Sequence, residues 1–205
     1  MSQTSIDAGK LNQPVEILTI QESPAGTWSW QSTRPARAQV ELSTRSNLFS
    51  QVGIGARGAE LVLRRQALTL HQAILWGEQH LFLTAILPEG RLHLRVQAAL
   101  VEPVECLATR TEDTVGEAGR PTTTETMRVT FPGVLTEKYA RYEREETHAE
   151  NATSYVLVVP KEIQLKAGDL VTVQEGPAQG VYNVQICHVL DPYKNEYEIA
   201  WRGDV

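Results

Sequence analysis

Residues 156–192 read VLVVPKEIQLKAGDLVTVQEGPAQGVYNVQICHVLDP. The stretch contains most or all of three short segments rich in Val, Ile and Leu, which are Ser154–Pro160, Leu170–Gln174 and Val181–Leu190. Apolar and β-branched runs of this length are typical of β-strands. Between and after the segments lie turn-forming pairs at Gly168-Asp169, Gly176-Pro177 and Asp191-Pro192. The stretch therefore predicts short strands joined by tight turns.

A similar series of segments precedes it in the chain, over residues 61–88, LVLRRQALTLHQAILWGEQHLFLTAILP. The order and spacing of strands and turns agree, although few residues are identical. The matched pairs are Leu61–Arg65 with Val156–Pro160, Leu70–Trp76 with Leu165–Val171, His80–Pro88 with Val181–Pro192, and Leu92–Ala98 with Glu196–Trp201. We interpret the agreement as an internal duplication.

The 205 residues are 41% apolar, which is enough to build a core. Further strand candidates lie in both halves, at Pro14–Gln21, Thr27–Gln31, Ala36–Leu42, Glu60–Arg65, His71–Trp76, Gln79–Ala85, Arg91–Val101, Met127–Phe131 and Glu196–Arg202. We expect an all-β fold of two tandem small β-barrel or sandwich domains with short helical or loop excursions. The polar, Thr-rich stretch before Met127 predicts a linker. The expected division is domain 1–102, linker 103–126 and domain 127–205.

Charge divides unevenly between the halves. Residues 1–110 carry 10 Lys and Arg against 9 Asp and Glu, whereas residues 111–205 carry 9 against 16, which gives −6 overall. Neither half has the basic excess of a nucleic-acid-binding domain. No uninterrupted apolar run reaches the roughly 18–20 residues of a membrane-spanning helix, so we expect no membrane association.

Three motifs could suggest catalysis or a ligand, and each has a structural alternative. Gly53–Gly58 matches G-x-G-x-x-G, but a dinucleotide site needs a strand before the motif and a helix after it, and here the order is reversed. The five histidines have no close pair or Cys-x-x-Cys partner to form a metal site. Cys187 and His188 are adjacent in a strand and should face opposite sides. We expect no cofactor, no metal and no enzyme.

Several segments resemble the head-tail joining proteins of tailed bacteriophages, also called head-closure or stopper proteins. The resemblance begins with Gly9–Asn12, Val15–Ile17, Gly26–Trp28 and Ala36–Ser43, and continues in the second half with Leu165–Asp169, Val181–Val184 and Asp191–Glu196. In the first half, His71–Ala73 stands where the family has a Gly-Asp turn. The family pattern also places a short helix after Ser43, which could be its N-cap through Gln51.

The resemblance implies a structural role rather than catalysis. Proteins of this family form a homo-oligomeric ring below the portal or its adaptor, help to retain packaged DNA and dock the tail. The expected partners are therefore the portal or adaptor, the tail terminator or tail tube protein, and genomic DNA in passing through the channel. The expected location is the head-tail interface of a virion assembled in the host cytoplasm.

Two sets of residues are candidates for this role. The segment Ser43–Gly58 is predicted to be a loop that narrows the lumen or contacts a neighbouring subunit, through Arg45, Asn47, Leu48, Phe49, Gly53, Gly55, Arg57 and Gly58. Leu48 and Phe49 are exposed if the loop is unpaired. A predicted interface comprises Trp28 and Trp30 on one strand face, and Glu143, Glu145 and Glu146 in a charged run.

Other functions remain open from the sequence. A tail terminator or tail-hub protein of the same virion would share the structural class. A non-viral β-barrel binding module would have a formed pocket. A small β-scaffold hydrolase would need a nucleophile beside a base, and no G-x-S-x-G motif occurs.

Overall fold

The computed structural model describes residues 8–47, 49–53, 55–115, 121–138 and 154–203. Apart from a short 3₁₀ turn at Ala8–Lys10, its regular elements are strands. The strands are β1 Gln13–Glu22, β2 Trp28–Asn47, β3 Ala56–Arg64, β4 Gln72–Trp76, β5 Gln79–Glu89, β6 His93–Val101, β7 Val104–Val115, β8 Pro121–Glu137, β9 Ser154–Pro160, β10 Leu170–Val173, β11 Gly180–His188 and β12 Lys194–Gly203. The predicted all-β class with two tandem domains is confirmed.

The first six strands close into a barrel in the order β1-β2-β3-β6-β5-β4. The closing pair is β4 with β1, where Ile74 lies opposite Ile17. Side chains alternate between the inside and the outside of a barrel, so every second residue enters the core. The core is formed by Val15, Ala38, Ala59, Leu61, Leu63, Ile74, Leu81, Leu83, Leu94, Val96 and Ala98.

The last six strands close into a second barrel in the order β7-β8-β9-β12-β11-β10. Its closing pair is β10 with β7, where Val171 lies opposite Ala108. Adding six to each strand number of the first barrel gives the order of the second. The identical order confirms the predicted duplication at the level of topology.

The ladders also fix which residues are equivalent. Leu61 pairs with Val96 in the first barrel, as Leu157 pairs with Tyr197 in the second, and all four are fully buried. Leu157, not Val156, is therefore the counterpart of Leu61. The predicted alignment of this strand is therefore wrong by one residue. An error of one residue matters in a strand, because neighbouring side chains point to opposite faces of the sheet.

An equivalent polar contact fastens the turn before the closing strand in each barrel, and we call it the turn clamp. In the second barrel, Asp169 accepts hydrogen bonds from the Lys166 backbone N–H at 2.7 Å and from Arg110 Nε and Nη2 at 2.7 Å each. In the first barrel, Gln72 accepts from the Thr69 N–H at 3.1 Å and donates to Thr19 Oγ1 at 3.2 Å.

The two clamps occupy the same place in the ladders. Both acceptors receive the N–H of the residue three positions earlier, and both lie two residues before the inward residue that faces the first strand of the barrel. The His71–Ala73 departure from the Gly-Asp turn therefore keeps the contact and changes its chemistry. An ion pair with 2% exposure at Asp169 is replaced by neutral hydrogen bonds.

Compact units in the chain begin and end close to the predicted domain boundary, but the predicted linker is wrong. One unit comprises residues up to Gln21 and Trp30–Glu102, and the other comprises Glu22–Ser29 and Pro103–Val205. Residues 104–115 and 121–126 belong to β7 and β8, which pair from Val104 and Gly133 out to Val115 and Pro121. Threonine is β-branched and favours strands, so this polar run extends a hairpin.

The predicted helix after Ser43 is also wrong, since β2 continues as one 20-residue strand to Asn47. The register with β3 shifts between Leu42 and Ser46, which marks a bulge. Within it, the Ser43 hydroxyl accepts the Arg45 N–H at 3.0 Å instead of capping a helix. A Cβ added at Gly58 on β3 would lie 2.9 Å from the Arg45 carbonyl oxygen, so this glycine lets the bulge approach.

The duplication supplies a matched test of the turn clamp. Asp169→Ala leaves Arg110 without its carboxylate and should lower the free energy of unfolding by about 3 kcal/mol, the usual cost of breaking a buried pair. Gln72→Ala removes only neutral hydrogen bonds and should cost about 1 kcal/mol. Urea denaturation of both variants checks the difference, and equal losses would contradict it.

A second prediction concerns His80, which is 8% exposed on β5 with its ring 5.2 Å from that of Trp30. Burial lowers its pKa from 6.5 to about 4. Above pH 6.5 neither the folded nor the unfolded state binds the proton. Between pH 6.5 and 4 the unfolded chain binds it first, so stability falls as pH drops, by up to about 3 kcal/mol.

The measurement is the free energy of unfolding of the wild type and of His80→Gln at pH 7 and pH 4.5. The variant should lose less stability between the two pH values than the wild type does. If the two proteins show the same decrease, another group causes the acid sensitivity.

Candidate functional site

The exposed large apolar side chains of the described residues all lie on two hairpins. They are Leu87 and Leu92 on the β5–β6 hairpin, and Ile186, Val189, Leu190, Tyr193 and Trp201 on the β11–β12 hairpin. Because β5 and β6 are the counterparts of β11 and β12, the two hairpins occupy equivalent places in the two barrels. Apolar surface that recurs in this way marks a candidate interaction site.

We name the turns of these hairpins the first tip, residues 87–92, and the second tip, residues 189–193. Leu190 is 97% exposed and Leu92 is 72% exposed, so neither contributes to a core in this chain. Leu190 directly precedes the turn signal Asp191-Pro192, and Leu92 lies two residues after Gly90. Polar residues are more usual than leucine beside such turns. A leucine beside a turn was the sequence signal that could have found both tips.

A lysine holds the second tip in place. Lys161 Nζ donates to the carbonyl oxygens of Val189 and Asp191, at 2.7 Å each, and to Asn195 Oδ1 at 3.0 Å. The Asp191 carboxylate accepts the Tyr193 N–H at 2.8 Å. With its backbone fixed, the tip presents Leu190 without the entropic cost of ordering a loop on binding.

Buried hydrogen bonds connect this arrangement to the second core. Asn195 Nδ2 donates to the Ile163 carbonyl at 2.8 Å, and the Tyr197 hydroxyl donates to the same carbonyl at 3.1 Å. That hydroxyl also accepts the Leu165 N–H at 2.9 Å. Burial raises the pKa of Tyr197, so the phenol stays neutral and keeps its proton to donate. The second tip therefore sits on a rigid base.

The first tip is fixed by different chemistry. Arg95 lies between two carboxylates, with Nη1 2.5 Å from Glu60 Oε1 and Nη2 2.5 Å from Glu89 Oε1. The Arg65 N–H donates to the Leu92 carbonyl at 2.7 Å. Glu89 belongs to the tip itself, so the ion pairs hold the hairpin while the Leu92 side chain projects into solvent.

The predicted lumen loop Ser43–Gly58 is divided between two strands and their connection. Arg45 and Asn47 are in β2, and Arg57 and Gly58 are in β3, while Gly53 and Gly55 lie between the strands. Leu48 lies outside the described residues. The predicted loop is therefore too long at both ends, because residues near its start and its end pair with each other in the bulged β2–β3 ladder.

Phe49 contradicts the expectation that it is exposed. It is 2% exposed, and its ring centroid lies 5.9 Å from that of Phe82 in a tilted pair. Asn47 is also fixed, since its Nδ2 donates to Thr84 Oγ1 and to the Ala98 carbonyl at 3.0 Å each. Both side chains anchor the end of β2, and among the described residues of the connection, 49–53 and 55, only Gln51 is exposed.

The two predicted interface tryptophans are half-buried and contact different residues. Trp28 packs against the second core, and the Trp30 ring lies 5.2 Å from that of His80. Glu143, Glu145 and Glu146 lie outside the described residues.

Several of the described titratable groups that could suggest a metal or catalytic site are buried or paired. In residues 8–47, 49–53, 55–115, 121–138 and 154–203, no group of three His, Cys, Asp or Glu is placed to hold a metal ion. Burial raises the pKa of the Cys106 thiol to about 12, which suppresses the thiolate form needed for nucleophilic attack. Cys187 packs against the core, whereas His188 Nε2 contacts Glu198 Oε1 at 2.9 Å. The Gly53–Gly58 motif runs into β3 rather than a helix.

In the described part of the chain, no helix has the length and hydropathy of a membrane span. Comparison of the chain with protein-family models, curated proteins and solved structures finds no match.

The burial of Phe49 generates a stability prediction. Phe49→Ala should lower the free energy of unfolding by about 3 kcal/mol, because it removes a buried ring and leaves a cavity against Phe82. Arg57→Ala, at a side chain that is not in the core, should cost much less. Denaturant titration of both variants compares them. A small loss for Phe49→Ala would restore the interpretation of this segment as a loose loop.

Proposed function

We propose that this chain is a structural assembly protein of the head-tail joining type, which forms part of the neck of a tailed bacteriophage. The observation that carries the proposal is the repetition of an exposed apolar tip on the same hairpin of two equivalent barrels. The resemblance of the Gly9–Asn12 and Leu165–Asp169 segments to that family supplies the biological setting. Together they favour a protein that docks other proteins.

The buried polar groups support an assembly role over catalysis. Asp169 is held by Arg110 and a backbone N–H, and Lys194 pairs with Glu196 at 2.9 Å, with 9% and 2% of the two side chains exposed. Groups whose hydrogen bonds are filled in this way stabilise a fold and are poorly suited to transfer protons. The protein is accordingly proposed to have no enzymatic activity.

In the proposed setting, the chain forms a ring between the portal or adaptor and the tail terminator or tail tube protein. The tips bind these neighbours, because projecting leucines on a fixed backbone bury apolar area with little loss of conformational freedom. Genomic DNA passes through the ring. The protein is thus a virion component that is assembled in the host cytoplasm.

The test removes the apolar tips without disturbing the barrels. Leu92→Asp with Leu190→Asp should keep the melting temperature within about 2 °C, since exposed substitutions rarely change stability. Incorporation into purified virions should fall by about tenfold or more, because each buried leucine contributes about 2 kcal/mol to a contact. Quantitative mass spectrometry of the particles measures incorporation.

A Gln179→Asp variant, changed at an exposed site in the β10–β11 connection at the opposite end of β11 from the second tip, is the matched control and should be incorporated normally. Full incorporation of the doubly substituted protein would contradict the role of the tips. Absence of the wild-type protein from particles would contradict the neck function itself. Cryo-electron microscopy that places it in the tail would favour a terminator or hub protein.

A further inference from the structure

The first barrel has a surface cleft of about 550 Å³ where β1 begins and β2 crosses it. Pro14, Val15, Pro35 and Leu75 give it apolar walls, and the charged side chains of Glu16 and Arg37 also line it. A neighbouring depression of about 380 Å³ shares Pro35 and extends the cleft along the exposed arginines Arg64 and Arg65. The combined surface is an apolar groove with a basic end.

The equivalent position in the second barrel is covered. Val40 pairs with Leu61 in the first barrel, and Leu135 pairs with Leu157 in the second, so Val40 and Leu135 are equivalent. The residues five positions before them, Pro35 and Thr130, are therefore equivalent as well. In the second compact unit, Thr130 forms an isolated parallel bridge with Thr27.

Trp28, next to Thr27, packs against the second core. These residues belong to the β1–β2 connection, 22–29, which clusters with the second unit. One of the two equivalent surfaces therefore has an occupant, and that occupant is the connection between the first two strands of a repeat.

The corresponding element of the second repeat is the outer part of the β7–β8 hairpin. Its arms, 111–115 and 121–125, pair with each other. In the described residues, β10 pairs with β7 only over 106–109, and β9 pairs with β8 only over 134–137. Among the described residues, the outer edge of the 111–115 arm is used by no ladder, which suits it to pair with another chain.

The charges of the two surfaces are opposite. Exposed Glu112 and Glu125 lie on the hairpin arms, and exposed Arg64 and Arg65 lie at the end of the groove. Glu125 also contacts Arg128 at 3.6 Å, but both side chains are about half exposed, so this pair contributes little. The hairpin therefore matches the groove in charge as well as in its place in the repeat.

We propose that the outer β7–β8 hairpin of one copy docks in the Pro35 groove of a second copy of this chain. The contact repeats between copies the arrangement that residues 22–29 make in the second unit. It joins unlike surfaces, so it propagates head to tail and gives a ring if the rotation closes. The inference rests on the proposed assembly function and names the self-contact that such an assembly would use.

Charge reversal tests the contact. Arg64→Glu with Arg65→Glu should weaken self-association by about tenfold or more, and Glu112→Lys with Glu125→Lys should do the same, since each puts like charges together. A chain carrying all four substitutions should associate again, because its charges are opposite once more. Sedimentation equilibrium of each purified full-length chain gives the dissociation constants, and circular dichroism checks that each folds.

Rescue in the fourfold variant is the decisive result, since general loss of stability could not restore association. Arg202→Glu, at an exposed residue near the end of β12, is the control for charge change alone and should associate like the wild type. The inference is overturned if the fourfold variant stays as weak as the double variants, if all variants associate like the wild type, or if the wild type is monomeric at its highest soluble concentration. Normal incorporation of a monomeric protein into virions would overturn the self-contact and leave the neck function standing.

Discussion

Each barrel depends on a short closing strand, and the turn clamp fixes where that strand begins. The closing ladders contain only four residue pairs, from Glu16 to Thr19 in the first barrel and from Cys106 to Thr109 in the second. A ladder this short has few backbone bonds with which to specify its register. The Gln72 and Asp169 side chains add a contact from the turn to the facing strand, so the register is set by side chains.

A closed barrel leaves no free edge in its wall, and contacts with other molecules must then be made by what projects from it. The two tips project as apolar turns held by Lys161 in one barrel and by Arg95 in the other. The outer β7–β8 hairpin projects as a pair of strand arms. The turn clamp thus closes the barrel wall, whereas the tips and the hairpin lie outside the wall and are available for contacts with other molecules.

The candidate site was only partly accessible from the sequence. The Gly-rich stretch around Gly53 and the aromatic Phe49 suggested a loop, but Phe49 fills a space beside Phe82 that only the folded barrel creates. Trp28 and Trp30 share a strand face, yet they pack in different environments. Conversely, Leu92 and Leu190 fall within predicted strands, and although each lies close to a turn signal, their exposure is seen only in the folded structure.

The sequence by itself determined the β class, most strand positions and the duplication, because strand periodicity and turn residues are local properties. Its errors arose where long-range pairing overrode local pattern. The Thr-rich run before Met127 has the composition of a linker, but Val104, Cys106 and Ala108 carry β7 into the barrel, and the pairing then continues outward. Ser43 could begin a helix, but β3 supplies a partner and Gly58 supplies the room. Only the tertiary structure decided these points, because the bonds that settle them join residues far apart in the chain.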